Sequence, residues 1–217
     1  MTLGAAVALQ GINKSFGATR ALIDIDFTLT AGRRHALVGP NGSGKTTLLR
    51  LMAGLLTPES GKVNCLGLEW QSNKRTLQRE VAYVAQRFSL YDELTIEENC
   101  RFVAGLYDLA RNSEAYTHAQ RVFGLLPYLD RRAEAVSAGI RQRLMLAAAI
   151  MRRPKLLLLD EATAALDAAS RSMLREQIAA AHAIGATVVL TTHAASDTEW
   201  CDSITELNGG RIVGRAA

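Results

Sequence analysis

Gly39-Pro40-Asn41-Gly42-Ser43-Gly44-Lys45-Thr46 decides how the rest of the chain is read. Its spacing is GxxxxGK[ST], and its neighbours supply the context that such a loop needs. His35-Ala36-Leu37-Val38 before it reads as a short apolar strand. After it, Leu48, Leu49, Leu51 and Met52 fall at helical spacing, with Gly54 as a stop. Glycines between a strand and a helix let backbone amides face inward as an anion nest, and the helix N-terminus adds a favourable dipole. Lys45 is expected to reach the β- and γ-phosphates of a nucleotide, and the Thr46 hydroxyl to ligate Mg²⁺. The candidate nucleotide-binding residues of this stretch are Gly39, Asn41, Gly42, Ser43, Gly44, Lys45, Thr46 and Thr47.

A second element lies far along the chain. Leu156 to Leu159 is a continuous apolar run ended by Asp160 and Glu161. Such a run suits a central strand of a parallel sheet covered on both faces. It would place Asp160 at the sheet edge beside the loop, where a carboxylate can hold Mg²⁺, and Glu161 where it can orient or deprotonate an attacking water. Acids also favour helix starts, which is the plainer reading of the pair. His193 follows the apolar strand 187–191, at the strand end where open α/β sheets bind ligands, and is a candidate γ-phosphate contact. Gln86 similarly follows the strand 81–84, where a neutral amide can meet Mg²⁺ or water. Ser137-Ala138-Gly139 precedes a helix over about 140–151; a hydroxyl there is an N-cap, and the same geometry makes a second anion site.

Around these motifs, residues 7–27 alternate apolar and polar about turn residues Gly17 and Asp24, as antiparallel strands do. A second β portion is read over 62–66 and 81–84. Residues 96–129 carry helical periodicity, 170–183 another helix, and 204–213 a closing hairpin broken at Asn208-Gly209-Gly210. Strands alternating with helices argue for an α/β fold.

Composition narrows the classes further. The 217 residues include 48% hydrophobic and 21% charged, the balance of a globular protein with a real core. The net charge of +4 comes from scattered basic residues, so a nucleic-acid partner is not expected. Cys65, Cys100 and Cys201 are odd in number and have no metal-ligand spacing, which makes them thiols of a reducing compartment. No apolar run approaches the roughly 20 residues of a membrane span, so any membrane crossing falls to another polypeptide or segment.

Taken together, these motifs resemble the ATP-binding subunits of ABC transporters over nearly the whole chain. Phe16, in Lys14-Ser15-Phe16-Gly17, looks like the aromatic that stacks on adenine. Gly39 to Thr46 is similar to the phosphate loop, Gln86 to the Q-loop, 136–143 to the signature motif, and 156–161 to Walker B with its catalytic acid. Ala164-Ala165-Leu166-Asp167 resembles the D-loop and His193 the switch histidine. The resemblance implies a P-loop NTPase core with a mostly parallel sheet, an antiparallel β subdomain and an inserted helical subdomain. Residues 1–86 and 151–217 would form the core, and about 87–150 the helical part with the signature motif. It implies ATP and Mg²⁺ as cofactors, with Thr46, Gln86 and Asp160 at the metal and Glu161, His193 and Gln86 in hydrolysis. It also implies a head-to-tail dimer in which ATP lies between the phosphate loop of one domain and Ser137, Gly139 and Asp167 of a second ATP-binding domain. Closure of that dimer would drive a polytopic membrane permease from the cytoplasmic face, and the stretches 88–95 and 200–202 look most like exporters. The alternatives are an ABC-type ATPase that does not transport, and a partner with a weakened composite site.

The chain departs from the family pattern in places. Val136-Ser137-Ala138-Gly139-Ile140 stands where LSGGQ is usual, so Ala138 would be strained if its position demanded positive φ. Ala85, Ala162 and Ala168 stand where many relatives carry proline.

Overall fold

The computed structural model describes residues 4–110, 113–163, 166–193 and 195–216. The chain opens with two long strands, β1 (Ala5–Phe16) and β2 (Thr19–Thr30), and continues with β3 (Arg34–Val38) and helix α1 (Lys45–Met52). Then come β4 (Ser60–Cys65), β5 (Leu68–Glu69), α2 (Trp70–Glu80) and β6 (Val81–Val84). The α-helices α3 (Ile96–Leu106), α4 (Glu114–Val122) and α5 (Ala138–Ile150) follow, with two short 3-10 turns between α4 and α5. The chain ends with β7 (Leu156–Asp160), α6 (Ala168–Ala183), β8 (Thr187–Thr191), the short α7 (Ala195–Thr198), β9 (Ser203–Asn208) and β10 (Arg211–Ala216).

Two sheets result. One has the order β2-β1-β4-β5 and antiparallel pairing throughout; the other has the order β10-β9-β3-β8-β7-β6. In the second sheet β9, β3, β8, β7 and β6 run parallel, and β10 adds an antiparallel edge. The fold is therefore mixed α/β, as the alternation of elements suggested. All five residues of β7 are buried. Leu157 and Leu159 enter one apolar core with α3, α4, α5 and α6, while Leu156 and Leu158 enter the other with α1 and the antiparallel sheet. A strand covered on both faces has no polar side to show, which is why it reads as an unbroken leucine run. Burying each such leucine contributes about 1.5–3 kcal/mol.

Two sequence expectations change. Asp24 does not turn the chain; it sits inside β2 with φ 50°, donating its amide to Asn13 Oδ1 at 3.0 Å, in a stretch where the β1–β2 register shifts. Residues 62–66 and 81–84 are not one β portion either, because β4 pairs with β1 while β6 pairs with β7. Between them lies α2, which the sequence pattern does not show. Only Trp70 and Leu77 of its eleven residues are buried, too few apolar positions to reveal a period, and Asn73 breaks its helical geometry at φ −128°. Trp70 anchors it by donating its indole N–H to the Met52 carbonyl at 2.9 Å.

The helix α3 starts with a reciprocal capping box between Thr95 and Glu98. Cys65 and Cys100 are buried and Cys201 partly so; all are free thiols pushed up to about 12 by burial. Among the described residues no helix is long and apolar enough to cross a membrane.

Candidate functional site

The site forms at the carboxyl ends of β3, β7 and β8, three neighbouring parallel strands. From β3 the chain enters the loop 39–44, in which Gly39 has φ 139° and Gly44 φ 104°. A Cβ at Gly39 would collide with the Leu207 carbonyl, and one at Gly44 with the Ala21 carbonyl. Neither position admits another residue without moving backbone. Gly44 then caps α1, so the loop ends on free helix amides.

A pocket of about 360 Å³ opens above this loop, lined by Asn41 to Thr47 with Thr19, Ala21, Gln86 and Glu161. Lys45 is 5% exposed and donates to the carbonyls of Gly39 at 2.8 Å and Pro40 at 3.0 Å, which holds its ammonium over the loop. Burial lowers its pKa from the usual lysine value, and the carboxylates of Glu161 and Asp160 oppose that shift. The Ser43 hydroxyl oxygen is buried without a hydrogen-bond partner, a polar group suited to an anion in the pocket.

Asp160 ends β7 at 1% exposure and is held from three directions. Its Oδ1 accepts from Thr46 at 3.0 Å and from Thr191 at 2.9 Å, and its Oδ2 accepts from the Tyr83 hydroxyl at 2.9 Å. Burial pushes Tyr83 up to about 12, with Asp160 adding to the rise and Arg50 opposing it. Strand β8 lies between β3 and β7, so its last residue, Thr191, can bridge the loop side and the acid side.

Glu161 follows with φ 49°, a left-handed conformation unusual for a non-glycine residue. Its amide donates to Thr191 Oγ1 at 2.9 Å. Its carboxylate is gripped at both oxygens, Oε2 by Gln86 Nε2 at 2.6 Å and Oε1 by His193 Nε2 at 3.0 Å. Strain of this kind persists only where the surroundings over-determine the residue, as these three contacts do. The plainer reading of the acids as a helix N-cap pair does not describe this geometry: Asp160 is the last residue of β7 and α6 begins at Ala168.

The structure thus brings together Lys45, Thr46, Gln86, Asp160, Glu161 and His193. Gln86 meets Glu161 rather than the Thr46–Asp160 pair. Phe16 is 50% exposed at the β1–β2 turn; it pairs with Thr19, which lines the pocket, and Lys14 Nζ lies 5.6 Å from its ring centroid. Ser137, Gly139 and Asp167 are not in the pocket lining. Ser137 caps α5, accepting from the Ile140 amide at 3.4 Å, and is exposed at the surface. Asp167 caps α6 through the Ser170 amide at 2.8 Å, and the Ser170 hydrogen bonds hold its carboxyl below the usual range. Ala138 is the first residue of α5 and does not have positive φ, so the strain considered for it does not arise. Ala164 and Ala165 lie outside the described residues. Sequence reading missed Thr191 and Tyr83, which come from neighbouring strands and carry no motif.

A loop of this geometry facing two strand-end acids defines a P-loop nucleotide-binding fold. Known proteins give the family. A family model described as ABC transporter matches residues 22–164, and the chain belongs to the ATP-binding domains of that family. The probable multidrug ABC transporter ATP-binding protein of Escherichia coli is 34% identical over 209 residues, covering 95% of this chain. The chain spans only 36% of that relative's length. The Nod factor export ATP-binding protein I of Rhizobium leguminosarum bv. viciae is 34% identical over 211 residues, 96% of this chain and 68% of its own. A solved ATP-binding subunit of an ABC transporter superposes with a TM-score of 0.90 at 29% identity, covering 98% of this chain and 90% of that one.

Proposed function

We propose that this chain binds ATP with Mg²⁺ and hydrolyses it to drive a membrane permease. The carrying observation is the pocket in which the Gly39–Gly44 loop and Lys45 face a Glu161 carboxylate clamped by Gln86 and His193. Lys45 and the loop amides would grip the β- and γ-phosphates. Mg²⁺ fits the Thr46 hydroxyl and Asp160 carboxylate, a small set of hard oxygen donors of the kind that leaves room for phosphate oxygens and water. When bound, the ion supplies neutralisation of charge on the transferring phosphate. Glu161 would orient or deprotonate the attacking water, with His193 at the γ-phosphate and Gln86 fixing the carboxylate. Phe16 would stack on adenine.

In this reading residues 1–86 and 151–217 form the ATP-binding core and about 87–150 the helical part. The arrangement of α3, α4 and α5 between β6 and β7, which are neighbours in the sheet, supports that division. The exposed Ser137 and Asp167, with the half-buried Gly139, would complete the ATP site of a second domain, so the working unit is a dimer. A groove of about 920 Å³ between the ends of α1, α3 and α5 and the helix α2, lined by Leu55, Arg75, Arg79, Tyr107 and Arg152, would receive the permease at the cytoplasmic face. Tyr83 lines this groove and bonds Asp160, which ties the docking surface to the ATP site. Export, the direction named for the Nod factor relatives, is the direction taken for this chain.

The test is Lys45→Ala with calorimetry of ATP binding. Loss of a charged contact of about 3 kcal/mol weakens affinity on the order of 100-fold. Unchanged affinity overturns the phosphate-loop reading, and absence of ATP turnover by the parent chain with its permease overturns the motor.

A further inference from the structure

Outside the phosphate pocket, a second acid is almost completely buried. Asp197, on α7, is 1% exposed. Its Oδ2 accepts hydrogen bonds from the Thr163 and Thr192 hydroxyls, each at 2.7 Å. Its Oδ1 lies 3.7 Å from the guanidinium of Arg175 on α6. The positions of the two threonines matter. Thr163 stands two residues after Glu161, and Thr192 immediately precedes His193. Glu161 and His193 themselves meet at 3.0 Å. A closed circuit therefore runs from Glu161 through Thr163, Asp197, Thr192 and His193 back to Glu161.

Burying a carboxylate is costly unless it is paired and hydrogen-bonded. Here two hydroxyls converge on one oxygen and a cation stands near the other, a network that ties the two segments to each other. Glu161 needs such support, because its backbone is held at φ 49°. The Thr191 and Asp197 bridges divide the task. Thr191 fixes the Glu161 backbone from inside the sheet, and Asp197 fixes the chain just beyond it against the His193 segment.

We propose that Asp197 is a positioning residue that sets the register between the Glu161 and His193 segments, and so the geometry of the pair acting on the attacking water. This rests on the reading of Glu161 and His193 as the hydrolytic pair. Asp197 touches neither nucleotide nor reacting atoms in that reading. Its loss therefore affects turnover and leaves nucleotide grip alone, since Lys45 and its loop hang on β3 and α1.

The experiment compares Asp197→Asn, Thr163→Val, Thr163→Ser and the Asp197→Asn/Thr163→Val double variant. Steady-state ATP hydrolysis is read for the chain with its permease, and the His193 ring-proton NMR signal for the chain alone. Misplacement of a reacting group by a fraction of an ångström is expected to lower kcat about 10-fold in Asp197→Asn and Thr163→Val, with KM within about twofold. The double variant should lose no more than the single ones, because both remove the same bridge. Thr163→Ser keeps the hydroxyl and should retain kcat and the parental His193 signal. A folded Asp197→Asn with parental kcat, or multiplying losses in the double variant, overturns the proposal. If Asp197→Asn does not fold, Thr163→Val against Thr163→Ser decides it. If the parent itself shows no turnover, the hydrolytic reading fails, and the His193 signal still decides positioning: it moves in Thr163→Val but not in Thr163→Ser if the circuit holds, and an unmoved signal in Thr163→Val refutes it.

Discussion

The phosphate-loop face and the α5 N-terminal face differ in how completely the chain satisfies them by itself. At the first, Asp160 accepts from three hydroxyls, Glu161 is held at both carboxylate oxygens, and Lys45 is buried over its own loop. At the second, Ser137 and Ala138 are exposed, the Ser137 hydroxyl caps α5, and Arg141 of the first turn reaches Asp92 at 3.3 Å. The difference teaches where each face takes its rigidity. The first is pre-organised by the sheet before any ligand arrives, whereas the second is a helix start at the surface, which in the proposed dimer a second domain would complete.

The largest effect should come from the rigid face. Glu161→Gln keeps the shape and a bond to one neighbour but removes the proposed base, so turnover should fall on the order of 10²–10⁴-fold. ATP affinity should persist, and an ATP-bound dimer should accumulate, measured by size-exclusion with light scattering. Full turnover in this variant would mean that the clamp around Glu161 serves folding alone, and the contrast between the two faces would lose its catalytic meaning.

Acid should also find the rigid face first. His35, on the strand that delivers the phosphate loop, is buried beside Phe27 with Nδ1 2.7 Å from Ser203 Oγ. Burial lowers its pKa from 6.5 to about 4, with Arg215 adding to the shift. In the unfolded chain the imidazole takes up its proton as pH falls past the ordinary value, while the folded chain resists until about pH 4. Stability is therefore expected to fall as pH drops through that window, by about 3 kcal/mol in all. Denaturant melts of the parent and His35→Gln check this; equal slopes with pH in both would remove His35 as the cause.

How much of this contrast the sequence carried depends on the kind of signal. Gly39 to Thr46 and the leucine run into Asp160 were legible because loop geometry and two-sided burial each constrain consecutive residues. Thr191, Tyr83, Thr163 and Asp197 were not, because each hydroxyl or acid arrives from another element and only the β3-β8-β7-β6 order makes them neighbours. Helix α2 was hidden by its polarity, since two buried residues give no period. The φ of Glu161 was equally invisible, being imposed by contacts on either side of the residue.

At the open face, Ser137→Ala should cost about 1 kcal/mol of stability through the lost cap. Its effect on ATP-driven dimerisation should exceed that, because the same hydroxyl would face the partner's phosphates. Melting temperature and dimer affinity measured together separate the two roles. A change confined to melting would reduce Ser137 to a cap and leave the open face without a partner.

Ala138→Gly should have the smallest effect, and it sharpens what the open face requires. The resemblance to LSGGQ suggests that glycine would improve the site, yet Ala138 begins α5 without positive φ, so there is no backbone strain for glycine to relieve. Glycine instead adds freedom to the unfolded chain and is expected to lower stability by about 0.5–1 kcal/mol. Turnover should then stay within about twofold of the parent, a change of less than roughly 0.5 kcal/mol in the barrier. A tenfold gain would locate the obstacle in the methyl group itself, pressed against the second domain's phosphates. The open face would then be limited by steric fit on closure rather than by its own backbone.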